Sequence, residues 1–145
     1  MLFALIMRGV AFEFRSRMHT EAMRDVWDSG FWGGSLVAAI MQGVILGTLV
    51  SGIAVENNAF VGGSFDWLAP FPLFCGLAVA VGYTLLGATW LVWRTESTLQ
   101  NTMRRWSGLL SLAMLGMIAA VSLWTPALHV TYMQNWTDWP RILFV

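Results

Sequence analysis

Chemistry at a metal or a proton site in this 145-residue chain has to come from a short list: two histidines, one cysteine and eight acidic residues. Membrane cytochromes built from helices hold iron through histidine. His19 lies in a basic segment near the start and His129 beyond the last apolar run, on the opposite side, so the two cannot ligate one haem. Each alone is an axial-ligand candidate, and a solvated or interfacial histidine is the favoured reading. Cys75 sits inside an apolar run with no second thiol to join it, which leaves no intrachain disulfide. One cysteine, two distant histidines and no carboxylate within the apolar runs supply no metal-ligand set. A proton wire through a bilayer normally uses intramembrane Asp, Glu or His, and none is on offer there.

Four charged residues remain as candidates for proton access or electrostatic work: Arg8, Glu13, Arg15 and Asp66. At about 100° per residue, Arg8 and Arg15 share nearly one helix face with Phe12 beside them. Glu13 points elsewhere and meets Arg17 at i,i+4 in the favourable order. A lipid-facing Arg8 is costly even when it snorkels, so a protein partner or a buried carboxylate is expected for it. Glu13, at the membrane edge, is either a proton-exchanging carboxylate or a surface ion pair. Asp66, in the stretch FVGGSFDWLAPFPLF at 60–74, is read as a turn former or helix cap, with cation binding as the other reading.

The elements that must position these groups follow from composition. Hydrophobic residues make up 57% of the chain and charged residues 11%, where soluble domains carry about a quarter charged. All eight cations are arginine and the net charge is zero, which gives no electrostatic case for nucleic acid. Three runs are long enough to cross a bilayer, 31–55, 73–93 and 106–124, and none contains Asp, Glu, Lys, Arg or His. The fold class is therefore all-α, a polytopic transmembrane helix bundle. A helix over 1–17 is too short to span, and RILFV at the other end starts a further apolar run. Both ends read as cuts through helices, so a fragment of a longer subunit, a single transmembrane domain over 1–145, is expected.

Arginine placement gives the orientation. Loops 15–30 and 94–105 carry Arg15, Arg17, Arg24, Arg94, Arg104 and Arg105 and are expected on the cytoplasmic side; loop 56–72 has none and is expected in the periplasm. Trp27, Trp32, Trp90, Trp93 and Trp106 mark the basic interface, and Trp67, Trp124, Trp136 and Trp139 the other. Small residues mark packing: Gly43 with Gly47, Ala78 with Gly82, and Gly116 with Ala120. Gln42, mid-span, is read as an interhelical hydrogen-bonding group, and Thr84 and Thr89 as bonding back to their own helix.

Taken together, RGVAFEFR (8–15), WGGS (32–35), QGVILG (42–47), GGSFDWLAPFPLFCGL (62–77), GYTLLGATWLVWRTESTLQ (82–100) and SLWTP (122–126) resemble subunit II of the cytochrome bd quinol oxidases, in the cyanide-insensitive branch. The motifs run in order over most of 1–126, and 127–145 matches poorly. The resemblance implies an enzyme subunit in the aerobic respiratory chain of a bacterial inner membrane, oxidising quinol and reducing oxygen. It implies haems b and d in a partner, subunit I, with small accessory subunits possible, and a subunit II that can hold a quinone. Where family members often have Lys-Thr-Glu-Gly this chain has Arg94, Thr95, Glu96 and Ser97, so a turn glycine is lost. The competing readings are a solute-transporting bundle, which needs polar or broken midplane helices, and a membrane-anchor subunit.

Overall fold

A computed structural model describes residues 1–52, 55–56, 59–60, 62–63 and 65–128. Four helices carry nearly all of them: α1 Leu2–Arg17, α2 Glu21–Ser51, α3 Pro70–Arg94 and α4 Ser97–Leu128. A two-residue antiparallel pair, β1 Val55–Glu56 with β2 Ala59–Phe60, sits between α2 and α3 and sets Val55 opposite Phe60. The expected RILFV helix, His129, Arg141, Trp136 and Trp139 lie outside the described residues.

The helices α2, α3 and α4 are each long and apolar enough to cross a membrane, as the apolar runs predict. Their ends differ from the expected boundaries. The segments expected as loops 15–30 and 94–105 are largely helical, and the connections are only 18–20 and 95–96. Glu21, Ala22, Met23 and Arg24 are good helix formers with no breaker among them, so α2 begins well outside the apolar stretch. A helix stops where its backbone loses partners and not where hydropathy changes. At the other end α2 stops at Ser51, short of the expected 55, because Gly52 turns to φ 83°, a region glycine enters without a Cβ clash. Pro70 opens α3 at the first-turn position, where its missing N–H costs nothing.

The tight 95–96 connection is held by Thr95, whose N–H and hydroxyl both donate to the Leu91 carbonyl at 2.9 and 2.7 Å. The Gln100 side chain reaches back to donate to the Val92 carbonyl at 3.0 Å. Ser97 sits at φ 62°, at the position where the sequence resemblance pointed to a lost glycine.

Packing runs in series: α1 lies against α2, α2 against α3, and α3 against α4, with α4 brushing α2 only slightly. The α2/α3 seam is the tightest. A Cβ on Gly43 would meet the Cys75 carbonyl oxygen at 2.5 Å, and one on Gly47 the Pro72 Cα at 2.6 Å. From the facing side, a Cβ on Gly76 would meet the Ile40 oxygen at 2.9 Å. The expected Gly43/Gly47 step is thus a backbone-to-backbone contact. Gly34 does the same for α1, a Cβ there meeting the Ala4 oxygen at 2.9 Å. At Gly116, by contrast, nothing among the described residues lies within 4 Å of an added Cβ. At the loop end, Phe71 meets Trp124 edge-on at 5.7 Å between centroids.

Two outcomes test this seam. Gly47→Leu is expected to destabilise the α2/α3 pair by about 1–3 kcal/mol through overpacking, while Gly116→Leu stays within about 0.5 kcal/mol. Ser97→Gly is expected to stabilise by up to about 1 kcal/mol by relieving a left-handed L-residue. Temperature-dependent labelling of Cys75, the single cysteine, by a thiol-reactive fluorophore in detergent reads all three.

Candidate functional site

The charged residues gather at the basic end of the α1/α2 hairpin. Reversal at 18–20 sets α1 antiparallel to α2; Ala4 and Ala11 are the buried residues of α1, and Arg8, Phe12 and Arg15, though exposed, each meet a residue of α2. The Arg15 guanidinium donates to the Asp28 carboxylate. That hydrogen bond, and then the charge of Asp28, raise the already high pKa of Arg15, so it is a fixed cation. Glu13 and Arg17 form the expected i,i+4 ion pair at 2.7 Å, and both side chains are exposed. The Arg24 guanidinium donates to the Met18 carbonyl at 3.0 Å, closing the connection. Phe14 stacks on Trp27 at 5.2 Å between centroids.

Of the two partners expected for Arg8, a protein group or a buried carboxylate, the described residues offer the first. No carboxylate meets it among the described residues; its guanidinium carbon lies 5.6 Å from the centroid of the Phe31 ring. Phe12 flanks the same ring at 6.5 Å. Arg8 is exposed, and a cation over an aromatic face at such a site gains on the order of 0.5–1 kcal/mol. The residues missed from sequence are Asp28, Phe31, Ser35 and Tyr83. The first two had a signal: a reversal near 18–20 puts residues roughly equidistant from Thr20 opposite one another.

Because α1 and α3 both pack on α2, a cleft of about 710 Å³ opens between them with α2 as its floor. Arg8 and Phe31 line it at one end, Gln42 and Tyr83 at the other, and Ser35 between them. The Tyr83 hydroxyl donates to the Gln42 Oε1 at 3.0 Å, the interhelical hydrogen bond expected of Gln42. The Ser35 hydroxyl is spent on the Phe31 carbonyl at 2.7 Å, and Thr84 and Thr89 bond back to their own helix as expected.

Asp66 lies at the opposite end and is not brought to the arginines. Its carboxylate accepts the Gly63 N–H at 2.7 Å and its N–H donates to the Gly63 carbonyl at 3.4 Å, ahead of the short 3-10 turn Asp66–Leu68. Turn formation, the favoured reading, is what the geometry gives. A Cβ on Gly63 would come within 3.0 Å of the Asp66 carboxylate. His19 is exposed in the 18–20 connection, and no three His, Cys, Asp or Glu that could hold a metal ion gather among the described residues.

Three apolar helices with the arginines of the described residues concentrated at one end define a multi-pass membrane protein. Over residues 1–145 it matches the family described as cytochrome bd terminal oxidase subunit II, and it belongs to that family. It is 31% identical over 128 residues to the probable cytochrome oxidase subunit 2 of Haemophilus influenzae, covering 85% of this chain and 34% of that protein. To the cytochrome bd-I ubiquinol oxidase subunit 2 of Escherichia coli it is 32% identical over 129 residues, with the same coverage. To the cytochrome bd ubiquinol oxidase subunit 2 of Bacillus subtilis it is 30% identical over 105 residues, 72% of this chain and 31% of that one. The chain therefore spans about a third of the length of the curated relatives it matches.

Tyr83→Phe removes one interhelical hydrogen bond and is expected to cost about 0.6 kcal/mol, the mean for such bonds within membranes. Thermal unfolding in detergent measures it, and a loss above about 2 kcal/mol would mean that the hydroxyl serves more than this pair.

Proposed function

We propose that the chain acts as part of the non-haem membrane subunit of a bd-type quinol:oxygen oxidoreductase in a bacterial inner membrane. The observation that carries this is the family match over the whole of residues 1–145. In this reading a partner, subunit I, bears haems b and d and the catalytic centres, and this chain supports it through helix packing. Small accessory subunits fit the same assembly. The arginine-rich end, with Arg15, Arg17, Arg24, Arg94, Arg104 and Arg105, faces the cytoplasm, and loop 56–72, with Asp66, faces the periplasm. Arg8, Glu13 and Arg15 act as an electrostatic and proton-access group at the cytoplasmic end.

A quinone is the ligand that fits the α1/α3 cleft. The Arg8 guanidinium would donate to a carbonyl oxygen at one end, and the Tyr83–Gln42 pair offers a polar contact at the other. Ala38, Ala39 and Gly87 leave the room between them. Bound there, a quinone supplies a reversible redox couple. Arg8→Gln is expected to release it, read as loss of the quinone extracted with the purified protein. Quinone retained at the unsubstituted level would remove Arg8 from the site.

The whole reading is tested by purifying the protein with its membrane partners. A reduced-minus-oxidised haem spectrum and oxygen consumption with added quinol are expected of the assembly, and no Soret band of the separated chain. A Soret band that stays with the separated chain would overturn it.

A further inference from the structure

We infer that the α3/α4 crevice at the arginine-rich end is a binding site for one anionic phospholipid. Two cavities that share Trp106 as a lining residue lie there. The first, about 630 Å³, is an open hollow of mixed lining along the exposed side of α4, where Thr98, Asn101, Thr102 and Arg105 bring the polar groups and Trp106 an apolar wall. The second, about 490 Å³, is apolar and lies between α3 and α4, lined by Ala88, Leu91, Met103, Trp106 and Leu110. Trp106 lines both, and it sits where the apolar span begins, the depth at which tryptophan favours the boundary between headgroups and hydrocarbon.

The polar groups of the hollow suit a phosphate. The Arg105 guanidinium, the Asn101 amide and the Thr98 hydroxyl are its donors, while the Thr102 hydroxyl is engaged with the Thr98 carbonyl at 3.0 Å. Segment 94–105 carries Arg94, Arg104 and Arg105 against the one acid, Glu96, so the field at the chamber favours an anion. The apolar chamber suits an acyl chain. From Met103 to Leu110 it descends about 10 Å along α4, into one leaflet. Charged head and apolar tail at the two sides of one interfacial tryptophan is the shape of a lipid. A protein helix docking here would have to fill the hollow with an acid and the crevice with side chains at once.

Arg104 supplies the control, since it carries the same charge one residue away and lines neither cavity. The protein is purified in its native assembly and titrated with phosphatidylglycerol or phosphatidylcholine of identical chains, and retained lipid is counted by native mass spectrometry. Phosphatidylglycerol is expected to be retained about five-fold more tightly, the factor one cation beside an anionic headgroup contributes. Arg105→Gln should abolish that preference, and Arg104→Gln should leave it within about two-fold. Equal losses in both variants, or no preference in the unsubstituted protein, would overturn the site in favour of a diffuse surface potential. Met103→Trp, which fills the crevice, should lower retention of both lipids; unchanged retention would overturn the tail chamber. Excess inorganic phosphate should leave phosphatidylglycerol in place, and its displacement would assign the chamber to a free anion.

Discussion

The close approach of α2 to α3 is the constraint on which the remaining geometry depends. In hydrocarbon no water is released when apolar helices meet, so association relies on packing and interhelical hydrogen bonds. Gly43, Gly47 and Gly76 let two backbones touch, and Pro72 is fully buried in the same seam. That contact fixes the separation of α2 and α3, and with it the 3.0 Å hydrogen bond between Gln42 and Tyr83. It also sets the width of both clefts: the one floored by α2, with Arg8, and an apolar one of about 400 Å³ lined by Gly47, Cys75, Met117 and Val121.

Much of this was legible in the sequence for a simple reason: a span announces itself by twenty residues without charge, and nothing else in a chain this apolar does. The three long helices, the proline start of α3, the Glu13–Arg17 pair and the Gln42 hydrogen bond all follow from local spacing. Boundaries did not, because α2 carries its helix out past the apolar stretch on ordinary helix formers. Gly43 and Gly47 meet a neighbouring helix, while a Cβ on Gly116 meets nothing within 4 Å among the described residues. Glycine at a four-residue step permits close approach, but only a neighbouring helix makes it a contact, and spacing does not say which face has the neighbour.

The candidate site was read in part. The shared face of Arg8 and Arg15 was visible from periodicity, but the partners of that face were not. For Arg8 a protein partner or a buried carboxylate is expected, and an aromatic ring serves; the carboxylate of Asp28 pairs with Arg15. Charges are assigned partners by the register of a hairpin, which depends on a connection three residues long whose helical flanks were read as loop. The serine at φ 62° is a further case: a departure from a family pattern noticed in the sequence becomes a strained backbone position in the structure.

The serial order of the helices gives the array two margins. Among the described residues α1 touches neither α3 nor α4, and α4 leaves Leu112 70% and Leu123 78% exposed. A helical layer of this kind resembles a sheet with unpaired edges, except that its edges are satisfied by any apolar neighbour, lipid or protein alike. Its outline is therefore set by whatever borders it, and a single substitution along either margin alters which neighbour is accepted while leaving the α2/α3 seam untouched.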